Sequence, residues 1–208
     1  MFDDWLQANK DLEYVVFVGA SSQQQVEATK FTLSDAYNLR RQSYSNMLLG
    51  GVTIPERHSK TGDEHKRILT KKNGGCNFFI SQCVYNLGDT KNLLSDYYYD
   101  SLDGGYDMSP IIFTLSPCGS MKTLEFMQWL GIEVPKWLFN DLKHSKDILQ
   151  ASIDTSVNIA EEILNYSASK NIPVGFNIES VSIRKEEIQA ANMLLNEVLK
   201  MVATSRRD

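Results

Sequence analysis

Short apolar runs alternate along the chain with longer segments in which apolar residues recur at helical spacing. Five of these runs predict β-strands, at residues 12–19, 47–54, 77–85, 110–115 and 173–178. Each is nearly continuous in apolar residues and is bounded by glycine, proline or polar residues. Continuous apolar runs, in contrast to alternating ones, are typical of parallel strands covered by helices.

The periodic segments after these runs predict helices at residues 34–44, 63–73, 89–101, 120–130, 136–143, 145–170 and 183–202. Ser34, Asp63 and Ser120 stand at N-cap positions, where a side-chain oxygen accepts from a free backbone N–H. Gly74-Gly75 and Gly131 follow two of the segments as helix-ending glycines do. The result is five successive strand–helix units in one domain spanning residues 1–208.

This alternation fits two α/β architectures, an open doubly wound sheet or part of a TIM-type (β/α)₈ barrel. In both, ligands bind at the carboxyl ends of the parallel strands. The residues at and after the five predicted strand ends are small or polar; they are 19–22, 55–58, 81–86, 116–119 and 177–180. We therefore expect a binding site at this edge of the sheet.

Composition narrows the class of protein. The 208 residues suffice for one domain with a sizeable core, and a net charge of −5 without a basic run argues against nucleic-acid binding. No stretch approaches the roughly 20 apolar residues of a membrane span. The first ten residues are acidic and polar, unlike a signal peptide, and three dispersed cysteines have no metal-binding spacing. We expect a cytoplasmic protein.

Three polar side chains near strand ends are candidate ligand contacts. Gln82 stands inside an apolar run, so its amide either points to a ligand or is satisfied by neighbouring backbone. Asn177 and Glu179 are two residues apart, and alternation along a strand puts both on one side, facing a possible pocket.

The charged run Glu56-Arg57-His58 follows the second strand. It is either a ligand-holding group or a solvated loop with an internal ion pair, and the pattern alone favours the loop. His58 and His65 do not have the spacing of a recognised zinc site, so no metal site is predicted.

Arg67 and Lys71 are four residues apart on one predicted helix and share a face. Such a pair is either part of a solvated outer surface or a clamp for phosphate or ribose.

Residues 50–86, GGVTIPERHSKTGDEHKRILTKKNGGCNFFISQCVYN, resemble the central part of the methylenetetrahydrofolate reductase family. The shared pattern is a proline-glutamate-x-histidine turn after a strand, a charged helix, a glycine turn and a strand ending in serine or threonine before glutamine. Here these are Pro55–His58, residues 63–72, Gly74-Gly75 and Ser81-Gln82. LGIEVPKWL and GFNIESVSIRKEEI extend the similarity over about residues 12–202, the latter toward a divergent branch.

The resemblance implies a (β/α)₈ barrel that binds FAD, takes hydride from NAD(P)H and reduces 5,10-methylenetetrahydrofolate to 5-methyltetrahydrofolate in one-carbon metabolism. His58, Glu64 and Lys71 match flavin-contacting positions, with Lys71 serving a phosphate and Glu64 a ribose or adenosine hydroxyl. We include Arg67 with these residues as an expected cofactor contact. Gln82 would face the folate and flavin rings, with Asn177 and Glu179 as further substrate contacts.

Two departures from the family pattern lead to further expectations. The five strands correspond to strands four to eight, so we expect the first three units, including the family's general acid, to be missing, and we assign no catalytic residue. Residues 18–21, Val-Gly-Ala-Ser, replace an Arg-Gly-Asp segment near the flavin, so hydride transfer without flavin is an alternative.

The function therefore has two candidate forms. One is a reductase of this type. The other is a non-catalytic folate- or nucleotide-binding relative or subunit. Because open parallel edges are normally covered, we expect self-association or a second chain to complete the barrel.

Overall fold

The computed structural model describes residues 2–19 and 31–205, which form five strands and nine helices. In chain order they are α1 (Phe2–Ala8), β1 (Tyr14–Val16), α2 (Leu33–Ser43), β2 (Leu48–Thr53), α3 (Pro55–Thr61), α4 (Glu64–Asn73), β3 (Phe78–Cys83), α5 (Leu87–Gly104), β4 (Ile111–Leu115), α6 (Met121–Trp129), α7 (Lys136–His144), α8 (Ile148–Ala168), β5 (Val174–Ile178) and α9 (Lys185–Ser205).

All five strands are parallel, and strands consecutive in sequence are neighbours in the sheet, in the order β1-β2-β3-β4-β5. This confirms the predicted α/β class and the parallel sheet. A doubly wound sheet has a point at which the strand order reverses. These five strands have no reversal, so the sheet of the described residues is not doubly wound. Among the described residues the sheet is open, because β1 and β5 do not pair to close it into a barrel.

The two faces of the sheet differ in burial because alternate side chains point to opposite sides. Val15, Leu49, Phe79 and Phe113 are buried and pack in one hydrophobic core with residues of α5, α8 and α9. Many side chains that point to the opposite side are partly exposed; Tyr14 is 58% and Leu48 37% exposed. The helices therefore cover one face, and the other carries half-exposed side chains such as Val52, Ile80 and Ile112.

Residues 55–58, predicted as a loop, are instead the start of helix α3. Pro55 occupies the first helical turn, where its fixed φ suits a helix and no backbone donor is lost. Gly62 ends the helix in the left-handed region at φ 65°, and its N–H donates to the His58 carbonyl. The consequence is that Glu56 and His58 are buried and not solvated.

Two of the three predicted N-caps differ in the structure. Thr32, not Ser34, caps α2 through a reciprocal capping box with Asp35. Asp63 occupies the N-cap position of α4, but its carboxylate accepts from the Thr61 hydroxyl and the Arg67 guanidinium and does not cap. Ser120 caps α6 as predicted. Within the described part of the chain, no helix combines the length and hydrophobicity of a membrane span.

We predict that Gly50→Ala destabilises the fold while Gly175→Ala, also in a strand and on the same face, does not. A Cβ at Gly50 would lie 2.6 Å from the Phe78 ring and 2.9 Å from Val16 Cγ2, whereas at Gly175 the nearest atom is Ile112 Cγ1 at 3.9 Å. Overpacking of this kind costs about 1–3 kcal/mol. Urea unfolding of both variants measures the difference, and equal midpoints would contradict it.

Candidate functional site at the carboxyl edge of the sheet

Gln82 lies near the carboxyl end of β3, after a register irregularity that begins at Ile80. Its side chain is half-buried, and its Nε2 donates to the Leu130 carbonyl at 3.1 Å. One N–H of the amide is thus satisfied by backbone, while an amide offers a second N–H and an acceptor oxygen as well. The structure thus shows the backbone alternative for one N–H of Gln82, and its contact with a ligand stays a prediction.

The neighbouring strand ends add three connected polar side chains. Asn177 Nδ2 donates to Thr114 Oγ1 and to Glu179 Oε2, both at 3.3 Å. The second bond shows that Asn177 and Glu179 lie on one side, as alternation predicted. Thr114 Oγ1 in turn donates to the Ser81 carbonyl at 2.8 Å. We call Gln82, Thr114, Asn177 and Glu179 the polar edge.

Thr114 is the member of the polar edge that sequence reasoning missed. It is inside the apolar run PIIFTL, and nothing in its own strand marks it. Its position follows from register, because Thr114 is the direct partner of Asn177 in the β4–β5 pair. A threonine beside a predicted site residue on the adjacent strand is the signal that would have found it.

Three of the four predicted cofactor residues gather around the end of β2. Glu64 is fully buried, and its Oε1 accepts from Thr53 Oγ1 at 3.1 Å and from the Ile54 N–H at 3.0 Å. Lys71 donates its ammonium to the Val52 carbonyl, and burial lowers its pKa, with Glu64 opposing that shift. These contacts attach α4 to β2.

Arg67 is the most exposed of this group, with its Nε 3.3 Å from Asp63 Oδ1 and 3.8 Å from Glu64 Oε2. The predicted flavin or phosphate contacts of Glu64, Arg67 and Lys71 thus stay predictions. In the structure each of the three already has a partner in the chain.

Glu56 is a buried carboxylic acid in the charged run that the sequence left open as a ligand-holding group or a solvated loop. It is 2% exposed, and neither carboxylate oxygen has a hydrogen-bond partner among the described residues. Burial raises the pKa of Glu56 to about 7; Asp89 and Glu133 add to the rise and Lys60 opposes it. A carboxyl group with such a pKa exchanges its proton near neutral pH.

His58, the fourth predicted cofactor residue, turns toward helix α5. Its Nε2 lies 3.0 Å from Asp96 Oδ2, and its ring meets that of His65 edge to face at 5.2 Å between centroids. Burial, and then the neighbouring His58, lower the pKa of His65. The structure thus adds Asp96 to the histidine pair, which sequence spacing alone did not predict to be a metal site. Ala20, Ser21 and Ser22, predicted to follow the first strand, lie outside the described residues.

The fold and the polar edge define an α/β protein with a five-stranded, all-parallel sheet wound in one direction. No family model matches the chain, and no curated protein does. A solved structure from Clostridium thermocellum, described as an uncharacterized protein that binds two copies of 5-methyl-5,6,7,8-tetrahydrofolic acid, matches with a TM-score of 0.85. The two are 47% identical over 96% of this chain and 69% of that one. The chain belongs to the same family as this clostridial protein.

We predict that Glu64→Ala lowers the free energy of unfolding by about 1–3 kcal/mol, because it leaves the buried Thr53 hydroxyl and the Ile54 N–H without an acceptor. Glu64→Gln, which keeps one acceptor oxygen, should lose less. Glu161→Ala, an exposed position on α8, serves as the control and should change stability by less than about 0.5 kcal/mol. Chemical denaturation distinguishes the variants; wild-type stability in Glu64→Ala would show that its contacts to β2 are dispensable.

Proposed function

We propose that this chain binds a reduced folate at the carboxyl edge of its sheet. The observation that carries the proposal is the clostridial family member, 47% identical, whose description records binding of 5-methyltetrahydrofolate. The polar edge has the chemistry for such a ligand. The pterin ring of a folate presents N–H donors beside a carbonyl acceptor, and a carboxylate and two amides can satisfy both kinds of group.

The surroundings of the polar edge also suit a flat heterocycle. Ile80 and Ile112 are register partners on β3 and β4, and both are half-buried on the face that the helices leave uncovered. Ile112 precedes Thr114 by two residues in β4, so the two lie on the same side with Ile112 deeper in the sheet, and Ile80 is the partner of Ile112 on β3. A ring held by the polar edge would pack its apolar surface on these two isoleucines.

A second candidate is NAD(P)H-dependent reduction of methylenetetrahydrofolate, with or without FAD. It is supported by the resemblance of residues 50–86 and by the strand order, which runs in sequence as in a (β/α)₈ barrel. In this proposal a second copy of the chain, or another chain, completes the barrel. His58, Glu64, Arg67 and Lys71 would hold the flavin.

The contacts of three of those residues favour the simple binder over the flavoprotein. His58 pairs with Asp96, Glu64 with Thr53, and Lys71 with the Val52 carbonyl. Flavin binding would require these partners to be exchanged for groups of the cofactor. A folate-binding protein without catalytic activity needs no such exchange.

Binding of 5-methyltetrahydrofolate to the purified protein tests the main proposal by calorimetry. Gln82→Ala and Asn177→Ala should each weaken binding about tenfold, because losing one ligand hydrogen bond costs about 1 kcal/mol or somewhat more. Gln189→Ala, an exposed glutamine on α9, should leave the affinity unchanged. A wild-type protein without measurable affinity would overturn the proposal, and unchanged affinity in both variants would move the site elsewhere.

Absorption spectra and a nicotinamide assay separate the two candidates. A reductase with flavin should be yellow and oxidise NADH or NADPH in the presence of methylenetetrahydrofolate. A flavin-independent one should be colourless and active. A colourless protein that binds 5-methyltetrahydrofolate but oxidises neither nucleotide would support the folate-binding proposal and contradict the reductase proposal.

A further inference from the structure

Three potential metal ligands meet where helices α3, α4 and α5 pack together. His58 comes from α3, His65 from α4 and Asp96 from α5, and one ligand atom of each lies within 4.8 Å of the other two. Both imidazoles are almost completely buried, at 5% and 6% exposure. The Asp96 side chain is 55% exposed, so the cluster opens to solvent on the α5 side.

The local sequence explains why two histidines seven residues apart come together. Pro55 starts α3 and Gly62 ends it in a left-handed turn, so only Asp63 separates that turn from the first residue of α4. This sharp corner brings His65, the second residue of α4, against His58 with the rings 5.2 Å apart. A continuous helix would place the two residues about 10 Å apart along its axis.

The hydrogen bonding of the two imidazoles is incomplete. His58 Nδ1 and His65 Nδ1 are both buried and without a hydrogen-bond partner in the described part of the chain. A buried polar atom without a partner costs about 1–3 kcal/mol. The contact between His58 and Asp96 satisfies only one of the four ring nitrogens. It does not explain why His65 is buried beside His58.

The charge around the cluster favours a cation. Asp100 lies one helical turn beyond Asp96 on α5 and accepts a hydrogen bond from the Tyr106 hydroxyl at 3.0 Å. It adds a second carboxylate to the same helix, four residues away and hence on the same face. Lys66 is the basic neighbour next to His65 in sequence, and its side chain is exposed.

We propose that His58, His65 and Asp96 form a site for a divalent transition metal of the zinc class. Two imidazole nitrogens and one carboxylate oxygen are a donor set that zinc takes, with a fourth position filled by water. Imidazole ligands favour zinc, cobalt, nickel or copper over magnesium and calcium, which prefer oxygen. The ion would join three helices that follow β2 and β3, and it does not depend on the proposed folate site.

Metal titration of the apoprotein tests the site directly. After dialysis against EDTA and its removal, wild-type protein should bind about one Zn²⁺ per chain by calorimetry. Co²⁺ should give visible absorption bands of the intensity expected for four-coordinate geometry. Zn²⁺ should raise the Tm, and EDTA should reverse that rise, because an ion that binds the folded chain stabilises it.

The variants are chosen so that a folding defect does not hide the answer. Asp96→Asn changes a partly exposed side chain and keeps its shape, whereas His65→Ala removes a buried ligand. Both should weaken Zn²⁺ binding at least tenfold and abolish the cobalt bands. If circular dichroism shows that His65→Ala does not fold, the Zn²⁺ affinity and cobalt bands of Asp96→Asn test the proposal on their own.

The matched control is His144→Ala. The chain has three histidines, and His144 is exposed on α7, its Nδ1 2.8 Å from the Asn140 carbonyl. This variant should bind Zn²⁺ and Co²⁺ as wild type does. The proposal is overturned when wild type binds neither ion, when Asp96→Asn binds both with wild-type affinity, or when His144→Ala loses the ion equally.

Discussion

Parallel pairing of strands that are consecutive in sequence is the constraint on which the rest of this structure depends. Every strand then ends at the same edge, and every return path to the next strand runs through helices. One face of the sheet is covered, and polar residues that follow different strands become neighbours. Ser81, Thr114 and Asn177 are far apart in sequence and form one hydrogen-bonded row for this reason alone. Both the proposed folate site and the half-exposed sheet face follow from this single topological rule.

The corner after β2 holds several buried ionisable side chains of the described residues close together. Glu56, His58, Glu64 and His65 are all buried there, although such residues are rarely buried without partners. Glu64 Oε1 accepts two hydrogen bonds, whereas Glu64 Oε2 and both oxygens of Glu56 lack a hydrogen-bond partner among the described residues. Buried polar groups without partners oppose folding, so their concentration in one corner is a sign of function more than of stability.

The sequence was sufficient for those parts of the structure that depend on local pattern. All five strands were predicted because their apolar runs are strong, and Asn177 and Glu179 share a side because alternation along a strand is geometric. Helix α3 was missed because it has only seven residues, most of them polar, and no apolar period to detect. Asp96 was missed for a different reason: its meeting with His58 depends on how two helices pack, and no short-range pattern encodes that. The same applies to Thr114, which register alone places beside Asn177.

The absence of a side chain at Gly50 has a consequence for how this family varies. The Phe78 ring and Val16 occupy the space above that glycine on the neighbouring strands. A larger residue at position 50 therefore requires a smaller one at position 78 or 16. We therefore expect substitutions at these three positions to be tolerated in combination more than singly. Relatives that diverge here should show compensating exchanges across β1, β2 and β3.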